Sequence, residues 1–132
     1  MATKRLLRAQ ADRWNGTGGG WAQGFRSGNV VFLQGQTGLT LDGDVVAPYD
    51  AAGQARQALE NIRTLMELAG GTLADVVKMT VYVTDRAHRA TAYPVFDEFF
   101  PDVKPCSTGI IVSGLALPEL VVEIDAYGLI DD

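Results

Sequence analysis

A chain of 132 residues has room for one domain and can bury a core without disulfides or metals to staple it. Hydrophobic residues make up 47% and charged residues 20%, which excludes intrinsic disorder, and a net charge of −5 disfavours non-specific binding to a phosphate backbone. The one cysteine, Cys106, excludes an intrachain disulfide and agrees with a reducing compartment. No apolar run approaches the roughly 20 residues that span a bilayer, and no apolar stretch follows the N-terminal charges as it would in a secretory leader. A cytoplasmic protein without membrane or nucleic-acid partners is the expectation.

Lys4, Arg5 and Arg8 read as a solvated start rather than a binding arm. Asn15-Gly16-Thr17-Gly18-Gly19-Gly20 is too rich in glycine for a helix or a central strand. It is either a lead-in or a place where backbone can approach a ligand. No strand precedes it and no helix follows, so it is not a dinucleotide fingerprint. The chain thus reads as a single domain over 1–132, with 1–19 extended or flexible.

Two strands are predicted at Trp21–Arg26 and Val30–Leu33, with Ser27-Gly28-Asn29 as hairpin punctuation. Leu41-Asp42-Gly43-Asp44 carries a second turn signal. Asp50 is placed to cap a helix whose apolar stripe is Ala55, Leu59, Ile62, Met66 and Ala69, with Gly70-Gly71 to end it. From Val76 to Thr84 the pattern alternates, with Val77, Met79, Val81 and Val83 on one face and Lys78, Thr80, Tyr82 and Thr84 on the other. Asp85 opens a second helix running to about Phe100, with Ala90, Tyr93, Phe96 and Phe100 inward and Pro94 weakening its start. Strands follow at about Thr108–Val112 and Leu120–Leu129. The order is β-β-β-α-β-α-β-β, an α+β arrangement in which two helices cover one face of the sheet. The other face is half polar and still carries Val, Met and Tyr, so self-association is expected.

His88 and Cys106 are alone of their types, which leaves no metal-ligand spacing. His88 reads as a surface residue in a polar helix start, and Cys106 as inert. No nucleophile elbow or P-loop is present. In Leu120-Val121-Val122-Glu123-Ile124-Asp125-Ala126-Tyr127, Glu123 and Asp125 share one strand face, about 7 Å apart at the backbone. That pair suits acid–base work, or it is simply a solvated strand face. Gln34 and Gln36 flank Gly35, and their amides either position a ligand or bond to backbone.

The run Gly20-Trp21-Ala22-Gln23-Gly24, followed by Gly28-Asn29-Val30-Val31-Phe32-Leu33-Gln34-Gly35-Gln36, resembles the opening of the RidA (YjgF) family. Gln54-Ala55-Arg56-Gln57-Ala58-Leu59-Glu60-Asn61-Ile62 is similar to that family's first helix, and Val76 to Asp85 to its next strand. Tyr93 to Phe100, Pro105 and Val122-Glu123-Ile124-Asp125-Ala126 complete the match, which runs from about Gly20 to Leu129. The resemblance implies a chorismate-mutase-like fold, with a mixed sheet and two helices on one face. It also implies a homotrimer binding a small molecule in three clefts at subunit interfaces. The activity it implies is hydrolysis of enamines and imines to 2-oxo acids and ammonia, with no metal and no organic cofactor.

Position by position, the resemblance places the family's water-positioning glutamate at Glu123. The arginine that grips the substrate carboxylate falls on Ser107, the cleft tyrosine on Trp21, the serine of the Ser-Gly-Gln segment on Gln34, and a frequent cysteine on Gly109. Thr108 keeps a small hydroxyl. A hydroxyl cannot replace a bidentate guanidinium, and losing a charge-assisted bond costs about 1.5–3 kcal/mol. The expectation is therefore a divergent deaminase or hydrolase for another C=N compound, less anionic and flatter. Glu123 is the candidate catalytic residue, and Trp21, Gln34, Tyr93, Ser107 and Thr108 bind the ligand. The alternative is a non-catalytic small-molecule-binding or chaperone-like trimer. Arg26 is a conceivable replacement cation, although its place beside the hairpin turn favours a surface role. A ribonuclease reading is least favoured, because the chain is acidic and lacks a basic stripe.

Overall fold

The computed structural model describes residues 4–7 and 21–131. The Gly-rich stretch singled out above lies outside the described residues. Strands β1 (Arg5–Leu7), β2 (Gly24–Ser27), β3 (Val30–Leu33) and β4 (Gln36–Thr37) precede helix α1 (Ala51–Leu68). After a 3-10 turn at Leu73–Asp75 come β5 (Val76–Val83), α2 (His88–Phe99), β6 (Cys106–Ile111) and β7 (Val122–Leu129). The sheet runs β1-β2-β3-β7-β5-β6, with β4 pairing β7 as well. All pairings are antiparallel except β5–β6, which is parallel and joined through α2. The fold is the expected α+β one, a mixed sheet with two helices.

The helix stripe forms as its spacing predicts. Ala55, Leu59, Ile62, Met66 and Ala69 are all buried, and truncating one of the large ones, such as Leu59, would cost about 2–5 kcal/mol. Asp50 sits at the N-cap position with extended backbone, although its side chain makes no capping bond. At the other end Gly70 takes φ +91°, Gly70 N–H donates to Glu67 O at 3.0 Å, and Gly71 N–H donates to Met66 O at 2.9 Å. That paired closure is a Schellman motif, and the left-handed φ is why glycine ends this helix.

Four details depart from the sequence reading. The segment read as a lead-in contains β1, so four strands rather than three precede α1. Three residues are too few for alternation to register, yet Leu7 is only 2% exposed, and Arg5 is not merely solvated: it donates to Leu68 O at 2.6 Å. Val77 leaves the buried face because a bulge between Val76 and Lys78 shifts the β5–β7 register, and Val76 is buried instead. Helix α2 starts at His88; Asp85 Oδ1 accepts from Ala87 N–H at 2.8 Å and so closes the turn before the helix. Within α2 the buried residues are Ala92, Val95 and Phe96; Ala90 is exposed.

The β7 alternation buries Val122, Ile124, Ala126 and Gly128 beneath the helices. Glu123, Asp125 and Tyr127 point to the uncovered face, where Leu6, Phe25, Phe32 and Tyr127 lie in one register row. Phe32 is 48% exposed and meets Tyr127 edge to face at 5.8 Å. Among the described residues no helix is long and apolar enough to cross a membrane.

Candidate functional site

Buried amides of α1 hold the loops that carry Glu123. Gln54 is fully buried; its Nε2 donates to Ala47 O at 3.0 Å and Glu119 O at 2.7 Å, and its Oε1 accepts from Val121 N–H at 2.7 Å. Asn61 Nδ2 donates to Leu39 O at 2.6 Å. These bonds tie the start of β7 and the segment after β4 to one rigid helix. The register then sets Glu123 opposite Thr37 on one side and Tyr82 on the other.

Gly35 lies against the Glu123 carboxylate. A Cβ at this position would collide with Glu123 Oε2 and stand 2.9 Å from Asp125 Oδ1. Glu123 lines a cavity of about 40 Å³ together with Gln23, Gln34, Gln36, Thr37 and Leu120. That is room for at least one water molecule. Burial pushes the Glu123 carboxyl above its ordinary range, and the Asp125 charge two residues on acts in the same direction. Tyr82 Oη donates to Asp125 Oδ2 at 3.0 Å, and this bond, more than burial, raises the phenol's pKa as well.

A second, larger cavity of about 440 Å³ lies on the helix-bearing face, between α2 and the β5–β6 pair. This is within the size range of small-molecule sites. Ser107 and Tyr93 both line it, beside Met79, Val81, Phe96 and Pro105. Ser107 faces it because Ser107 pairs with Met79 in the parallel ladder, and Met79 points under the helices.

The sequence-predicted residues therefore divide. Glu123 and Gln34 share the small cavity; Ser107 and Tyr93 share the large one. Thr108 faces the uncovered side of the sheet, where it accepts from Lys78 Nζ at 2.8 Å. Trp21 is 69% exposed and lines neither cavity. Arg26 is bound to backbone, donating to Gly28 O at 2.8 Å and to Ala69 O at 2.6 Å at the C-terminus of α1, where a cation is favoured. Strand β5 separates Glu123 from β6. Counting two strand spacings and three residues of rise puts Glu123 and Ser107 roughly 14 Å apart, on opposite faces. One chain does not bring them together.

Sequence reasoning missed Arg89 and the buried amides, and named Gly109 only as the place of a frequent cysteine and Gly35 only as the residue between two glutamines. Arg89 had a signal, since it stands four residues before Tyr93 and so shares its helix face.

The model of the family described as endoribonuclease L-PSP matches residues 16–130. A RutC family protein of Pyrococcus horikoshii is 35% identical over 108 residues, covering 82% of this chain and 85% of its own. The solved structure of RidA from an Antarctic Psychrobacter is 30% identical with a TM-score of 0.81, covering 96% of this chain and 100% of that one. A Mycobacterium tuberculosis member of the YjgF/YER057c/UK114 family is 29% identical with a TM-score of 0.80, over 97% and 100% of the two chains. The Glu123 strand, the amide-braced loops and the α2–β6 cavity all fall inside that shared span, and the chain belongs to the RidA/YjgF, or endoribonuclease L-PSP, family.

Proposed function

We propose that this protein is a divergent RidA-family hydrolase that releases ammonia from a small enamine, imine or related C=N compound other than the usual 2-imino acids. The observation that carries this reading is Glu123: a carboxylate with raised proton affinity, held against Gly35 beside a space that admits water. A base whose pKa moves toward neutrality is better matched to proton transfer at physiological pH. Glu123 takes a proton from water as the water oxygen attacks the C=N carbon. The adduct takes that proton on nitrogen and becomes a carbinolamine; Glu123 then passes the carbinol O–H proton to the amine nitrogen, the C–N bond breaks, and ammonia leaves as the carbonyl forms. An enamine enters the same path after tautomerising to the imine.

The division of candidate residues supports a cleft built between copies of the chain, as in the homotrimer that the resemblance implies. One copy would supply Glu123 and Gln34, and its neighbour the cavity of Ser107 and Tyr93. The uncovered row of Leu6, Phe25, Phe32 and Tyr127 is the natural surface for that association. The same row favours the second reading, a non-catalytic binding or chaperone-like assembly.

The test is ammonia and 2-oxo acid release from freshly generated 2-iminobutanoate and 2-iminopropanoate. Wild type is expected to be slow, Ser107→Arg to gain at least about tenfold, and Ser107→Arg with Glu123→Gln to lose roughly 100-fold or more. Unchanged turnover on removing the Glu123 carboxylate would sink the mechanism and leave the binding reading.

A further inference from the structure

The large cavity contains a guanidinium. Arg89, on the first turn of α2, lines it. Its Cζ lies 4.7 Å from the centroid of the Tyr93 ring, and its Nη1 donates to Tyr93 Oη at 3.2 Å. Stacking on an aromatic face fixes the plane of the fork and leaves most of its five N–H donors unspent. The fork sits over Gly109, two residues beyond Ser107 on the same face of β6. A Cβ at 109 would collide with Arg89 Nη1 and stand 2.7 Å from Tyr93 Oη. Gly109 thus vacates the space that Arg89 fills. The cavity's other charged groups, Lys104 and Asp97, neutralise each other at 2.7 Å. Among the described residues no carboxylate pairs with Arg89. The cavity therefore carries one uncompensated positive charge, presented by a planar fork, between apolar walls of Met79, Val81, Phe96 and Pro105.

We propose that Arg89 is the anion anchor of this cavity, and that its ligand is a carboxylate-bearing compound with an apolar body. The proposal rests on reading the cavity as the ligand site and narrows its ligand class. A single net positive charge matches a monoanion, and the planar fork matches the two oxygens of a carboxylate. A phosphate monoester dianion would leave charge unmatched beside Asp97. Position 107 need not supply the cation, because α2 delivers one to the same cavity. Anchored from the helix rather than the strand, the carboxylate is held at a different point from a ligand gripped at position 107, so the reacting carbon of a small 2-imino acid would sit elsewhere.

The test measures binding of three unreactive probes to the intact protein by calorimetry: 3-phenylpropanoate, its neutral amide, and phenyl phosphate. Wild type is expected to bind the carboxylate at least about tenfold more tightly than the amide. Arg89→Gln removes that preference while leaving amide affinity unchanged, and Gly109→Ala reduces it by displacing the fork. Arg89 is exposed, so the glutamine variant has no buried contact to lose, and an unchanged thermal midpoint checks its fold. Equal affinity for acid and amide, a preference that survives Arg89→Gln, tighter binding of phenyl phosphate, or no binding of any probe overturns the proposal. None of the probes is turned over. Failure here is therefore distinguishable from failure of the hydrolytic reading, which the ammonia assay decides.

Discussion

Gly35 and Glu123 occupy complementary space: the missing side chain of one is where the carboxylate of the other lies. Alanine at 35 must push Glu123 Oε2 away, and its methyl would also stand 2.9 Å from Asp125 Oδ1. Gly35→Ala is expected to cost about 1–3 kcal/mol of stability by overpacking. Turnover should fall by more than that strain accounts for. Urea denaturation alongside the ammonia assay separates the two effects; a variant with wild-type turnover would show that the carboxylate's placement is not critical.

Glu123 also predicts a pH dependence of stability. Its folded pKa lies above the unfolded value, chiefly through burial, so the native state holds the extra proton between the two. The group therefore destabilises the fold as pH rises through its folded pKa, and this cost disappears below the ordinary carboxylate range. Glu123→Gln is expected to raise the thermal midpoint at neutral pH and to match wild type under acid conditions. Melting curves across that range check it, and a glutamine variant less stable at neutral pH would contradict the sign.

Gln54 bridges three backbone groups from inside the core. Gln54→Ala strands Ala47 O, Glu119 O and Val121 N–H, at about 1–3 kcal/mol for each group left unsatisfied. A loss of roughly 3 kcal/mol or more in urea denaturation is the expected outcome. A loss below about 1 kcal/mol would mean that water replaces the amide.

The uncovered sheet face predicts the assembly. Phe32 and Tyr127 meet at its centre, and Phe32→Glu places a charge in that row without touching the buried core. Sedimentation should report wild type as a trimer and the variant as a smaller species. Turnover should fall with the assembly, because one chain leaves Glu123 and Ser107 on opposite faces. An unchanged sedimentation coefficient would direct association to another surface.

What was legible in the sequence was local and periodic. The α1 stripe, its glycine stop and the alternation that separates Glu123 from Ile124 all follow from 3.6- and 2-residue repeats, which the backbone imposes wherever it forms helix or strand. Residues whose partners lie far along the chain were not legible. Arg89 sat in a polar helix start, and Gly109 read as the loss of a cysteine. Only the parallel pairing of β6 with β5, under α2, sets one over the other. Gly35 gave no sign that it shapes the space around Glu123, and three residues of β1 carried too few alternations to be seen. Periodicity determined which residues share a face. Tertiary packing decided which faces meet, because no local repeat encodes the register and crossing of elements distant in sequence.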